Sequence, residues 1–217
     1  MFYKIKKSDT LAKIANAFSL PVELIIAYNP SIKNPNLIYE GQLIHIPNIE
    51  DIPENNFDFV TLTPLERVNR AKSVIGKGIR YELGKGGRDE KYHLPTKDNL
   101  CDCSGFVCWV LGLSRKTDIP FYKKHGGWIY TDSMVDDINS QTGIFERLSV
   151  PEVGCIVVYD AGKNIGHVGI ISEVENGAMK KVVHCSLGND KKYSDAIQET
   201  LPNVFDRSDT VWGRYVG

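Results

Sequence analysis

No stretch of the chain approaches the roughly 18 consecutive apolar residues that a membrane-spanning helix requires, which excludes a transmembrane helix. Charge of one sign is not in excess either: 26 Lys and Arg stand against 27 Asp and Glu, a formal net charge of -1. That balance leaves no basic field for nucleic acid and no polybasic patch for a membrane surface. The N-terminus, MFYKIKKSDTLAKIA, lacks the apolar core and small-residue cleavage site of a secretory signal. Cysteine is scarce, with five residues in 217, all beyond position 100, so a dense disulfide scaffold is excluded. Hydrophobic residues make up 42% of the chain, enough for a real core and against disorder.

The composition shifts near residue 48. Residues 48–58, NIEDIPENNFD, carry four acids, three asparagines and a proline, the make-up of a linker. We therefore expect a first domain at 1–47, a linker at 48–59 and a second domain at 60–217. In the first, Tyr3 and Ile5 alternate with lysines as a short strand. Leu11, Ile14, Ala15 and Phe18 follow helical spacing, and Pro21 suits the first turn of a second helix bearing Leu24, Ile25 and Tyr28. Leu43, Ile44 and Ile46 make a closing strand. The order strand, helix, helix, strand carries no acid pair, histidine cluster or phosphate loop, as expected of a binding module.

The runs Tyr3-x-Ile5-Lys6-Lys7, Asp9-Thr10-Leu11, Ile14-Ala15, Asn29-Pro30, Gly41-Gln42 and Ile46-Pro47 resemble a LysM (lysin motif) domain across residues 2–47. Ser8 stands where the family usually has glycine. The resemblance implies binding to N-acetylglucosamine-containing glycan such as peptidoglycan. It places the sugar near 8–12 and 27–32, with Asp9, Thr10, Asn29 and Pro30 as the glycan-binding residues.

In the second domain, Thr63-Pro64-Leu65-Glu66 has a cap, a proline at the first helical position and a glutamate at the third, a good helix start. Leu65, Val68, Ala71 and Ile75 continue it as an apolar stripe. In Asp102-Cys103-Ser104-Gly105-Phe106-Val107, Asp102 is a sound N-cap and puts Cys103 in the first turn of a helix. Exposed backbone N–H groups and the positive end of the helix dipole would lower the thiol pKa there. Of five histidines, His45 falls in the closing strand and His93 and His125 in polar loops. His167 and His184 lie in two strands joined by Asn176-Gly177, a strong hairpin signal. With the turn there, positions summing to about 353 oppose each other, which brings the two imidazoles close on one face. A helix-borne thiol with two aligned strand histidines is the geometry of a thiol hydrolase: nucleophile, base, and a third group that orients the base. Zinc is disfavoured, because Cys101-x-Cys103-x4-Cys108 lacks a CxxC knuckle. No metal or cofactor is expected, and Cys108 and Cys155 read as small buried residues.

Ile79-Arg80-Tyr81-Glu82-Leu83-Gly84, Asp102-Cys103-Ser104-Gly105-Phe106, Pro151-Glu152-Val153-Gly154, Gly166-His167-Val168-Gly169-Ile170 and His184 resemble, in order, the NlpC family of papain-like cell-wall cysteine peptidases. The aspartate before Cys103 and the serine-glycine after it set this pattern apart from CHAP-type amidases, the close papain-like cousins. Leu83 stands where the family commonly has tryptophan, and the aspartate of its usual Pro-Gly-Asp is missing. The resemblance implies an α+β fold overall: a small βααβ module, then a nucleophile-bearing helix on an antiparallel sheet. It implies a peptidoglycan endopeptidase with catalytic Cys103, His167 and His184. Tyr81, Asp102 and Ser104 would bind the free amine of a stem peptide, and the bond cut would join D-glutamate to a diamino acid. The expected partner is peptidoglycan, with no nucleic acid. The oligomeric state stays open, as does the choice among a phage lysin, an injected effector, a recycling enzyme and a trimmed exported form.

Overall fold

The computed structural model describes residues 2–18, 20, 22–29, 31, 32, 34, 37–47, 62–87, 94–162 and 165–216. The chain divides into two compact units, Met1–Leu62 and Thr63–Gly217. The expected linker at 48–59, with Pro21, Pro30 and His93, lies outside the described residues.

In the first unit, β1 (Phe2–Lys4) pairs antiparallel with β2 (Leu43–His45), with Tyr3 opposite Ile44. Between them run α1 (Leu11–Phe18) and α2 (Val22–Ala27). Leu11, Ile14 and Ala15 of α1 meet Ile5, Ile25, Ile44 and Ile46 in one small core, as helical spacing requires. Ser8 has φ 68° in the turn before α1. That left-handed conformation costs a side-chain-bearing residue about 1 kcal/mol and accounts for the glycine usual there.

The second unit opens with α3 (Pro64–Ser73), capped as its sequence predicts: the Thr63 hydroxyl accepts from the Glu66 N–H, and the Glu66 carboxylate accepts from the Thr63 N–H at 2.8 Å. Leu65 departs from the expected stripe and is 62% exposed, while Val68 and Ala71 are buried. Two residues each of β3 (Arg80–Tyr81) and β4 (Leu100–Cys101) pair in parallel, and β4 feeds α4 (Cys103–Val110). The long segment after α4 contains structure that its polar sequence concealed: a 3-10 turn at Pro120–His125, then α5 (Thr131–Ser140) and β5 (Phe145–Leu148). Buried Asp137 explains how so polar a helix packs, since it accepts from the Tyr122 hydroxyl at 2.7 Å and the Ile144 N–H at 3.0 Å.

Then come β6 (Ile156–Tyr159), β7 (His167–Glu175), β8 (Ala178–Cys185), α6 (Leu187–Tyr193), β9 (Ile197–Thr200) and β10 (Val211–Tyr215). The sheet is antiparallel, in the order β5-β10-β6-β7-β8-β9. Asn176 and Gly177 both have positive φ, as a two-residue hairpin turn demands, and Glu175 pairs Ala178 while Ile170 pairs Val183. One face of the sheet, with Ile156, Val158, Val168, Ile170 and Val183, packs on the core that holds α4. The other, with Val157, Tyr159, Ile171 and Val182, gathers around Phe205. Strand period two sets this division and decides where the histidines point.

Candidate active site

Asp102 caps α4 as expected. Its Oδ1 accepts from the Gly105 N–H at 2.8 Å, and Cys103 is the first helical residue. All eight residues of α4 are buried, not one face alone. Gly105 is required there: a Cβ would lie 2.2 Å from the Lys85 carbonyl oxygen. The Lys85–Gly86 backbone therefore uses the space that the glycine leaves. The backbone N–H groups of Ser104 and Val168 both act on the Cys103 thiol, which sets it against Val168 at the start of β7, the residue that follows His167 in the chain.

His167 and His184 meet as the hairpin register predicts, His167 Nε2 lying 2.7 Å from His184 Nδ1 with the rings edge to face. The second glycine of Gly166-His167-Val168-Gly169 makes room for this: a Cβ on Gly169 would come within 2.5 Å of Val182 and 3.0 Å of the His184 Cβ. Phe205 stacks on the His167 ring, centroids 5.1 Å apart and planes 14° from parallel. His184 Nε2 lies 2.9 Å from the Thr200 hydroxyl oxygen.

Electrostatics run against the expectation of an activated thiolate. Burial pushes the Cys103 thiol up to about 12, and the nearby Asp102 charge adds to this. The two backbone N–H groups and Arg115 pull the other way without prevailing. Burial, then the neighbouring His184, brings His167 down to about 3, and burial brings His184 down to about 4. The resting site therefore holds a neutral thiol and two neutral imidazoles, because a dry pocket disfavours every charged form.

The residues expected to bind stem-peptide amine are placed otherwise. Asp102 is 1% exposed, and its carboxylate is occupied by four protein donors. These are the Gly105 N–H, the Ser104 hydroxyl at 3.1 Å, the Gly84 N–H at 2.6 Å and Arg115 at 2.8 Å. Arg115 also donates to the Ser104 oxygen at 3.0 Å and the Lys85 carbonyl at 2.9 Å. Asp102 and Ser104 thus join α4, Gly84 and Arg115 into one network. Tyr81 is half-buried near Cys103, and its backbone N–H donates to Asp190.

A cavity of about 300 Å3 adjoins this network, lined by Gly84, Arg115, His125, Trp128 and Tyr130. Trp128 is 45% exposed there. Cys101, Cys108, Cys155 and Cys185 are buried and unpaired. Arg115, Thr200 and Phe205 escaped the sequence reading. No motif marks Arg115 or Phe205, whereas Thr200 could have been found by extending the sheet register one strand beyond His184.

In the first unit, Asp9 Oδ2 accepts from the Tyr3 hydroxyl at 2.9 Å and the Lys6 N–H at 2.8 Å. Thr10 Oγ1 accepts from the Lys13 N–H at 3.2 Å, as a helix cap. Buried Asn29 bonds Ile25 and, through both ends of its amide, the His45 backbone. These three side chains hold the small fold closed.

Comparison with known proteins matches residues 3–47 to the LysM domain and residues 95–189 to the CHAP domain. The endolysin of Bacillus phage PZA is 46% identical over 44 residues, 20% of this chain and 17% of that protein. The endolysin of Bacillus phage B103 is 45% identical over 42 residues, 19% and 16% respectively. The chain thus spans less than a fifth of the length of these curated relatives. Residues 95–189 thus match the CHAP domain and not the NlpC family, and the NlpC resemblance is corrected accordingly. The residues used to separate the two families fail to do so for a physical reason. Asp102, Ser104 and Gly105 cap and pack α4, a structural task that does not separate the two families.

Proposed function

We propose that this chain, with a LysM domain followed by a CHAP domain, is a cysteine-dependent peptidoglycan hydrolase. Residues 1–47 hold it on the glycan, 48–59 link, and 60–217 cut an amide bond. The observation that carries the reading is a pair of histidines 2.7 Å apart, His167 and His184, with the helix-start thiol of Cys103 set against Val168, the residue after His167. The endolysin relatives agree with it, over their short matching spans.

In this mechanism Cys103 attacks the amide carbonyl carbon while His167 takes the thiol proton, so charge separates only as the new bond forms. Backbone N–H groups at the start of α4, that of Cys103 among them, stabilise the oxyanion. The amine leaves with the proton from His167, and water then releases the acid from the thioester. His184 orients the His167 ring throughout. Hydrolysis takes place at the cell wall.

For the bond, the reading is a stem-peptide amide, D-glutamate to diamino acid. A second reading, cleavage between muramic acid and L-alanine, is favoured by the full occupation of Asp102, which leaves its carboxylate no role in holding a stem amine. Mass spectrometry of digested peptidoglycan separates the two. The first gives fragments ending in D-glutamate, and the second gives free L-alanine amino ends. A soluble L-Ala-D-Glu-diamino-acid peptide should be cut at the same rate with its amino end free or capped. A strong preference for the free amine would return Asp102 to the substrate.

A further inference from the structure

We infer that Thr200 is a positioning residue that selects the productive tautomer of the histidine pair. The inference rests on the thiol-hydrolase reading above.

Thr200 ends β9, which pairs with β8 so that Val182 faces Thr200 and His184 faces Gln198. The residue is therefore diagonal to His184 on the same face of the sheet. Its hydroxyl donates to the Leu201 carbonyl at 2.9 Å. A hydroxyl has one hydrogen, so toward His184, 2.9 Å away, the Thr200 oxygen can only accept. His184 must then carry its hydrogen on Nε2. A neutral imidazole has one N–H, so His184 Nδ1 is bare and accepts from His167 Nε2 across the 2.7 Å contact. His167 is left with its lone pair on Nδ1, the nitrogen that takes the Cys103 proton in the mechanism proposed above.

The opposite orientation is inactive. Were Thr200 to donate to His184 Nε2, His184 Nδ1–H would point at His167 Nε2, and the His167 hydrogen would sit on Nδ1. No base would then face the thiol. Both imidazoles are buried and held neutral, so no second ring proton blurs the choice. A single hydrogen bond to the Leu201 carbonyl thus decides which nitrogen of a ring two hydrogen bonds away can act.

The test compares the full-length protein with Thr200→Val and Thr200→Ser, using peptidoglycan turnover and long-range 15N–1H spectra of the imidazoles at neutral pH. Wild type should show both His167 and His184 protonated on Nε2. Thr200→Val should lower kcat about 10- to 100-fold with KM unchanged and give mixed tautomers, while Thr200→Ser should restore both readouts. A His184 hydrogen on Nδ1 in wild type overturns the inference whatever the variants do. So does Thr200→Val with wild-type kcat and spectra, or equal losses in both variants with tautomers unchanged. If wild type cuts no peptidoglycan, the functional reading fails, and the spectra still decide the role of Thr200.

Discussion

Replacement of His167 by alanine is expected to reduce the rate of peptidoglycan cleavage by a factor of about 100 to 10,000, since the proposed general base is lost. The same change should make the second unit less sensitive to acid. His167 and His184 have folded pKa values near 3 and 4, below the ordinary value of 6.5. Between those limits the unfolded chain binds more protons than the folded one, so the stability each neutral ring contributes is present above pH 6.5 and lost as pH falls. Each histidine contributes a slope of up to about 1.4 kcal/mol per pH unit in that window. His167→Ala removes one of the two. All three tryptophans, Trp109, Trp128 and Trp212, lie in the second unit, so fluorescence-detected urea unfolding at pH 7 and pH 5 reads it alone. Wild type should lose more stability than the variant between those pH values. Identical losses would mean that His167 titrates normally.

The second large effect is expected at Arg115. Its guanidinium pairs with the Asp102 carboxylate at 2.8 Å, and their side chains are 11% and 2% exposed. Arg115→Met would strand a buried carboxylate beside Cys103, at a cost of about 3 kcal/mol in unfolding free energy. Asp102→Asn in the same background should recover part of that loss, because the uncompensated charge is gone. A double-mutant cycle by urea unfolding measures the coupling. Additive effects of the two substitutions would mean that the pair is energetically unimportant, and would detach Asp102 from Arg115.

Local signals that the sequence carried led directly to the geometry of the candidate site. Asn176-Gly177 sets the hairpin, the hairpin sets the register, and the register brings His184 to His167. Asp102 marks the start of α4 and so the position of Cys103. Both rest on short-range backbone rules that tertiary context did not override. What stayed hidden depends on distant chain. Arg115 reaches Asp102 from 13 residues away, out of a segment with no periodic pattern. The sign of the Cys103 shift could not be read from its helix position, because burial by the rest of the domain outweighs the local N–H groups. The helix α5 was missed because its inward residues include Thr131, Ser133 and Asp137, which look like surface until their partners are known. The match to the CHAP domain was missed because the residues around Cys103 cap and pack α4 and so do not separate the two families.

The central claim is that Cys103 breaks an amide bond of peptidoglycan. Its most direct test is the count of new amino groups released from purified peptidoglycan by wild type and by Cys103→Ala. The expected result is steady release by wild type and none above background from a folded Cys103→Ala. Equal release by the two proteins would contradict the claim.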